Sequence, residues 1–165
     1  MKTLRKISDT VYKAIMYSVS AVLAIMVLVA FVEVIRRYLF GKTFLWSDDL
    51  IRYLIIYVGF VGGAAAFRDD NLASLDLVTR HFPQKLQTVL ELLVNTIVLA
   101  IVVFLMHYSF GAIESPGIKY SVGTGLRIAM WIPYLALPIG FSAMIFFAIE
   151  KYIKLFTKLW KGGAE

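Results

Sequence analysis

The run Trp46-Ser47-Asp48-Asp49-Leu50-Ile51-Arg52, continued by Tyr53-Leu54-Ile55-Ile56-Tyr57-Val58-Gly59-Phe60-Val61-Gly62-Gly63-Ala64-Ala65-Ala66-Phe67, decides how many helices this chain sends across a membrane. Its charge-free part, 53–67, is too short for a bilayer core, which needs roughly 20 helical residues. It spans only if the helix runs back through Arg52 towards Trp46. The residues there favour that reading. Ser47 can cap a helix, and Asp48 and Asp49 sit where the helix dipole favours negative charge. Trp46 falls where an interfacial aromatic belongs.

Three further stretches lack Asp, Glu, Lys and Arg: 14–32, 92–113 and 128–149. Each is long enough to cross unaided. The 165 residues are 60% hydrophobic with a mean hydropathy of +0.78, too apolar for an ordinary soluble domain. The expected fold is all-α: one integral membrane domain over residues 1–165 with four transmembrane helices. The spans are placed at about 12–35, 47–67, 87–112 and 129–150. Residues 71–82, with Leu72, Leu75, Val78 and Phe82 near one face, read as an amphipathic interfacial segment. Residues 151–161 read as a basic amphipathic tail for anionic headgroups, with Lys151, Lys154, Lys158 and Lys161 on one face. The first stretch follows Lys2, Arg5 and Lys6 as a signal peptide would. Its apolar run is too long for one, and Glu33-Val34-Ile35-Arg36-Arg37 replaces a small-residue cleavage site, so a retained helix is expected.

The absence of cysteine excludes disulfides and thiolate chemistry. The net charge of +6 gathers at span ends, which points to a membrane and not to nucleic acid. Eleven Lys and Arg fall on the side holding both termini and the middle loop, and six on the other, so both termini are expected in the cytoplasm. The first outer loop is unusually charged, with Glu33, Arg36, Arg37, Lys42, Asp48, Asp49 and Arg52. Helical spacing offers Glu33 to Arg36 and Arg37, and Asp48 to Arg52, as local pairs. Charge at a membrane boundary is costly unless paired or hydrated. Arg36, Arg37, Trp46, Asp48, Asp49 and Arg52 are therefore candidate subunit-interface or phospholipid contacts, the alternative being that they only fix helix ends.

Gly59 and Gly63 form a small-xxx-small pair, suited to packing within the four-helix unit or against another subunit. Asn95 reads as a helix–helix hydrogen bond. Residues 114–125, rich in Gly, Ser and Pro, form an outer loop. The last helix opens on Trp131-Ile132-Pro133-Tyr134, where Pro133 suits a first turn and Trp131 an interface contact; Pro138 should kink it. Little suggests an enzyme. His81 in a loop and His107 at an edge make a poor haem pair, and no metal spacing, phosphate loop or nucleophile elbow appears. No Asp or Glu lies in mid-span, where an ion-coupled transporter would bury one.

Arg37-Tyr38-Leu39-Phe40, Trp46-Ser47-Asp48-Asp49-Leu50, Phe60-Val61-Gly62-Gly63-Ala64-Ala65-Ala66 and Arg68, then Leu75-Asp76, Pro83 and Trp131-Ile132-Pro133-Tyr134-Leu135-Ala136-Leu137-Pro138-Ile139-Gly140 occur in this order. Together they resemble the small membrane (Q) subunit of tripartite ATP-independent periplasmic (TRAP) transporters, over nearly the whole chain. Two positions depart from the family pattern: Asp48 and Asp49 stand where Glu is common after the Trp-Ser pair, and Asn71 where His often precedes the amphipathic segment. The resemblance implies a sodium-gradient-driven importer of organic acid anions in a bacterial or archaeal inner membrane. Its partners would be a large membrane permease subunit, holding the sodium and substrate sites, and a periplasmic substrate-binding protein. This chain would carry no cofactor, scaffold the large subunit and help dock the binding protein. Two other readings are weighed against it: a stand-alone four-helix exporter, whose nearest carboxylates Glu33 and Glu91 sit at span ends, and a membrane anchor for a redox complex.

Overall fold

The computed structural model describes residues 2–69 and 84–161. The expected amphipathic segment at 71–82, with Asn71 and His81, lies outside the described residues. Among the described residues, six helices follow in order: α1 Lys2–Phe40, α2 Leu45–Arg68, α3 Gln84–Glu114, the single turns α4 Pro116–Lys119 and α5 Trp131–Tyr134, and α6 Ala136–Lys161. Four segments are long and apolar enough to cross a membrane: Arg5–Phe40, Leu45–Arg68, Leu86–Glu114 and Trp131–Thr157.

The deciding second span does run back through Arg52, and begins at Leu45. Phe44 is its N-cap residue, in extended conformation. Ser47 therefore lies inside the first turn, where its Oγ donates to the Phe44 carbonyl at 2.9 Å and caps nothing. The reason lies upstream. The Glu33 carboxylate accepts the Phe44 N–H at 3.1 and 3.2 Å, so the turn is fixed from the preceding helix. Gly41 closes α1 at φ +62°, a left-handed conformation common at helix ends.

With 39 residues, α1 is about 58 Å long, well beyond a hydrocarbon core of about 30 Å. The expected span at 12–35 is its middle part. The fourth span has a one-residue interruption. Leu135 separates α5 from α6, three residues before Pro138. Pro138 lacks an N–H for the Tyr134 carbonyl, so one helical hydrogen bond is missing there, while Leu135 keeps φ −60° and ψ −22° and donates to Trp131.

The long helices form a row and not a closed bundle. Helix α1 packs on α2, α2 on α6, and α6 on α3; α1 and α6 touch only lightly. The small core reflects this: Ala64, Phe67, Phe147 and Ala148, flanked by Val11, Tyr12 and Ile15 of α1 and Val98 and Leu99 of α3. In the apolar middle of α1, Leu23, Ile25, Val27, Leu28, Phe31 and Val32 all stay exposed.

Lipid tails are as apolar as leucine, so apolar burial does not drive these helices together; close packing and polar contacts must. At the α2–α6 crossing, a Cβ on Gly140 would lie 2.7–2.8 Å from the Phe60 Cβ and backbone. At the α3–α6 contact, Asn95, 1% exposed, donates its amide to the Ala148 carbonyl at 3.1 Å, the helix–helix hydrogen bond expected of it.

Candidate functional site

The chain's charge is organised at two ends. At the end nearest the termini, the start of α1 meets the ends of α2 and α6. Arg68, with 13% of its side chain exposed, sits at the centre. Its Nη2 pairs with Asp9, and its Nε donates to Ser8 Oγ at 2.9 Å and lies 3.5 Å from Glu150 Oε2. Ser8, fully buried, donates its hydroxyl to Glu150. Lys154 holds the other Glu150 oxygen at 2.7 Å. The Arg68 guanidinium also lies 4.8 Å above the Tyr12 ring, whose hydroxyl donates to Asp69.

One arginine thus joins three helices. A planar guanidinium with five donors suits this better than an ammonium would. The sequence reading counted Arg68 only as a basic flank and missed the cluster. A signal was present: Ser8-Asp9 at the start of the first span, and Arg68 and Glu150 at the ends of the second and fourth, lie on one side with opposite charges.

At the opposite end the outer-loop charges have other partners than helical spacing offered. Among the described residues, neither Glu33 with Arg36 or Arg37 nor Asp48 with Arg52 forms an ion pair. Glu33 serves the Phe44 amide instead, and Arg36 lies 3.5 Å over the Phe44 ring. Asp49 Oδ2 accepts the N–H groups of Gly125 and Leu126 at 2.8 and 3.3 Å. It thereby fastens the loop before α5 to the start of α2. That loop is a tight hairpin: Gly123 donates to Ile128 and Met130 to Ser121, both at 2.9 Å. Gly125 passes so close to Leu45 that a Cβ would come within 2.8 Å of its carbonyl carbon. Tyr57 adds a hydrogen bond to the Ile132 carbonyl at 2.7 Å.

The remaining candidates face outward. Arg37, Asp48 and Arg52 are exposed. Trp46 is 40% exposed with its ring 5.3 Å from Phe44, and Trp131 is 39% exposed at the start of α5. Gly59 and Gly63 are exposed too, and a Cβ on either would meet nothing within 4 Å. Among the described residues nothing packs on that face; Gly62, 3.6 Å from Val19 by the same construction, meets α1 instead. His107 is exposed on α3 with its ring against Tyr108. No cluster of metal-ligating side chains occurs among the described residues.

These features define a multi-pass helical membrane protein whose polar groups fasten its own helices and whose apolar faces stay open. The family model for tripartite ATP-independent periplasmic transporters, DctQ component, matches residues 26–158, and the chain belongs to that family. It is a transporter permease subunit and not an enzyme. The chain is similar to the sialic acid TRAP transporter small permease protein SiaQ of Vibrio cholerae, 24% identical, with 96% of this chain and 89% of that one covered. It is also similar to the sialic acid TRAP transporter permease protein SiaT of Haemophilus influenzae, 24% identical over 72% of this chain. A third relative is the isethionate TRAP transporter permease protein DctMQ of Oleidesulfovibrio alaskensis, 20% identical over 78%. The matched regions span 19% and 21% of those last two proteins, about a fifth of each.

Proposed function

We propose that this chain is the small permease subunit of a TRAP-type importer in a bacterial or archaeal inner membrane. It scaffolds a large membrane subunit that carries the transported organic acid anion and the sodium sites. The observation that carries this reading is the open row of helices. A chain of this length leaves the apolar middle of α1 and the Gly59–Gly63 face of α2 uncovered, and fills its polar contacts with its own helix ends. Such a layer suits the fixed frame of a moving partner. SiaT and DctMQ support it: in each, the part matching this chain is a fifth of a longer permease.

With both termini in the cytoplasm, as the lysine and arginine count predicts, the Asp49-fastened loop faces the periplasm. It is then placed to help dock a substrate-binding protein. A dicarboxylate, a sialic acid or a sulfonate all fit this reading, because the substrate would be chosen by the partners. Affinity purification of the tagged chain in mild detergent tests it. A large multi-span permease should co-purify in constant proportion. Recovery of the chain alone, from cells that also make the permease, would refute the scaffold role.

A further inference from the structure

A groove of about 520 Å³ opens at the far end of α1, lined by Val32, Ile35, Arg36, Phe40, Lys42 and Phe44. Along α1 these residues run in order of depth, and Phe44 returns to the level of Glu33 and Arg36, with its N–H on the Glu33 carboxylate. Val32 and Ile35 lie on the membrane-spanning helix, and Lys42 lies beyond its end, past Gly41. From Val32 to Arg36 the helix rises about 6 Å, the depth of several acyl methylenes. The groove is therefore apolar towards the membrane interior and cationic at the boundary.

The two cations are not used by the fold as ion-pair partners. Among the described residues, neither Arg36 nor Lys42 pairs with a carboxylate, and Glu33, the acid nearest Arg36 in sequence, is committed to the Phe44 amide. The Arg36 guanidinium is held in place by the Phe44 ring, at 3.5 Å, which leaves its edge donors for an anion. We infer that this groove binds one anionic phospholipid, its phosphate between Arg36 and Lys42 and an acyl chain along Val32 and Ile35. Charge complementarity and the depth order favour a lipid over a protein carboxylate, which would fill the cationic mouth and leave the apolar trough empty. The inference needs only that the chain spans a membrane, and stands apart from the transporter reading.

Native mass spectrometry of the full chain, purified and equilibrated with equal phosphatidylglycerol and phosphatidylcholine, tests it. Phosphatidylglycerol should be retained in preference. Each cation near a headgroup contributes about fivefold in affinity, so Lys42→Ala should weaken retention about fivefold and Arg36→Ala/Lys42→Ala about thirtyfold. Lys42 makes no hydrogen bond or ion pair among the described residues, so its variant keeps the fold. The charge-conserving Arg36→Lys/Lys42→Arg pair should retain the lipid. Equal retention of both lipids by the unaltered chain, or undiminished phosphatidylglycerol in the double alanine variant, would overturn the site. So would a carbodiimide cross-link from Lys42 to a partner's carboxylate in a complex that carries no phosphatidylglycerol.

Discussion

Arg68 and Asp49 do comparable jobs at opposite ends of α2, and each can be tested alone. Removing Arg68 takes the ion-pair partner from Asp9 and leaves Glu150, whose side chain is only 10% exposed, with Ser8 and Lys154 alone. Losing these charge-assisted hydrogen bonds costs about 2 kcal/mol. Arg68→Ala should therefore lower the thermal midpoint in detergent clearly, and Arg68→Lys should recover only part, because one ammonium cannot reach all three acceptors. Asp9→Asn should cost less, since half of the Asp9 side chain is exposed. Asp49→Ala removes a charged acceptor from two backbone amides, worth about 2 kcal/mol. Hydrogen exchange at Gly125 and Leu126 should speed up in that variant while exchange in the middle of α6 stays unchanged.

Among the elements, the small residues separate into two sets with opposite expectations. Gly140 lies against the Phe60 backbone, and a larger side chain there must force α2 and α6 apart. Gly140→Leu should cost at least about 3 kcal/mol in thermal unfolding. Gly63 has open space around it, so Gly63→Leu should leave the stability of the isolated chain unchanged and lower only the yield of its complex with a large permease. Equal losses of stability in both variants would mean that the Gly63 face is packed within the chain. The spans themselves were legible because charge-free length is a strong signal, and the backward extension through Arg52 followed from the acidic first turn. The interruption at Leu135 lies where Pro138 removes a helical N–H, a local property of the sequence. The Ser47 cap and the helical-spacing pairs were misjudged for one reason. Spacing sees only the same helix, whereas Glu33 and Asp49 bind backbone amides 11 and 76 residues away. The Arg68 cluster went unread for the same cause, since its partners lie 59 to 82 residues distant.

At the scale of the molecule, a single row of helices in lipid has little to hold it beyond those polar fastenings and the Gly140 crossing. Its open faces are what a scaffold offers, and the described residues bring together no carboxylate cluster, metal site or cavity that would move a substrate through the chain itself. The central claim is that this chain is a required frame for transport that takes place on another subunit. It is tested by reconstituting the large permease in proteoliposomes with its binding protein, substrate and a sodium gradient, with and without this chain. Uptake is expected with the chain present, with loss of most of it when the chain is left out and no uptake by vesicles holding the chain alone. Full-rate uptake by the large permease without this chain would contradict the account.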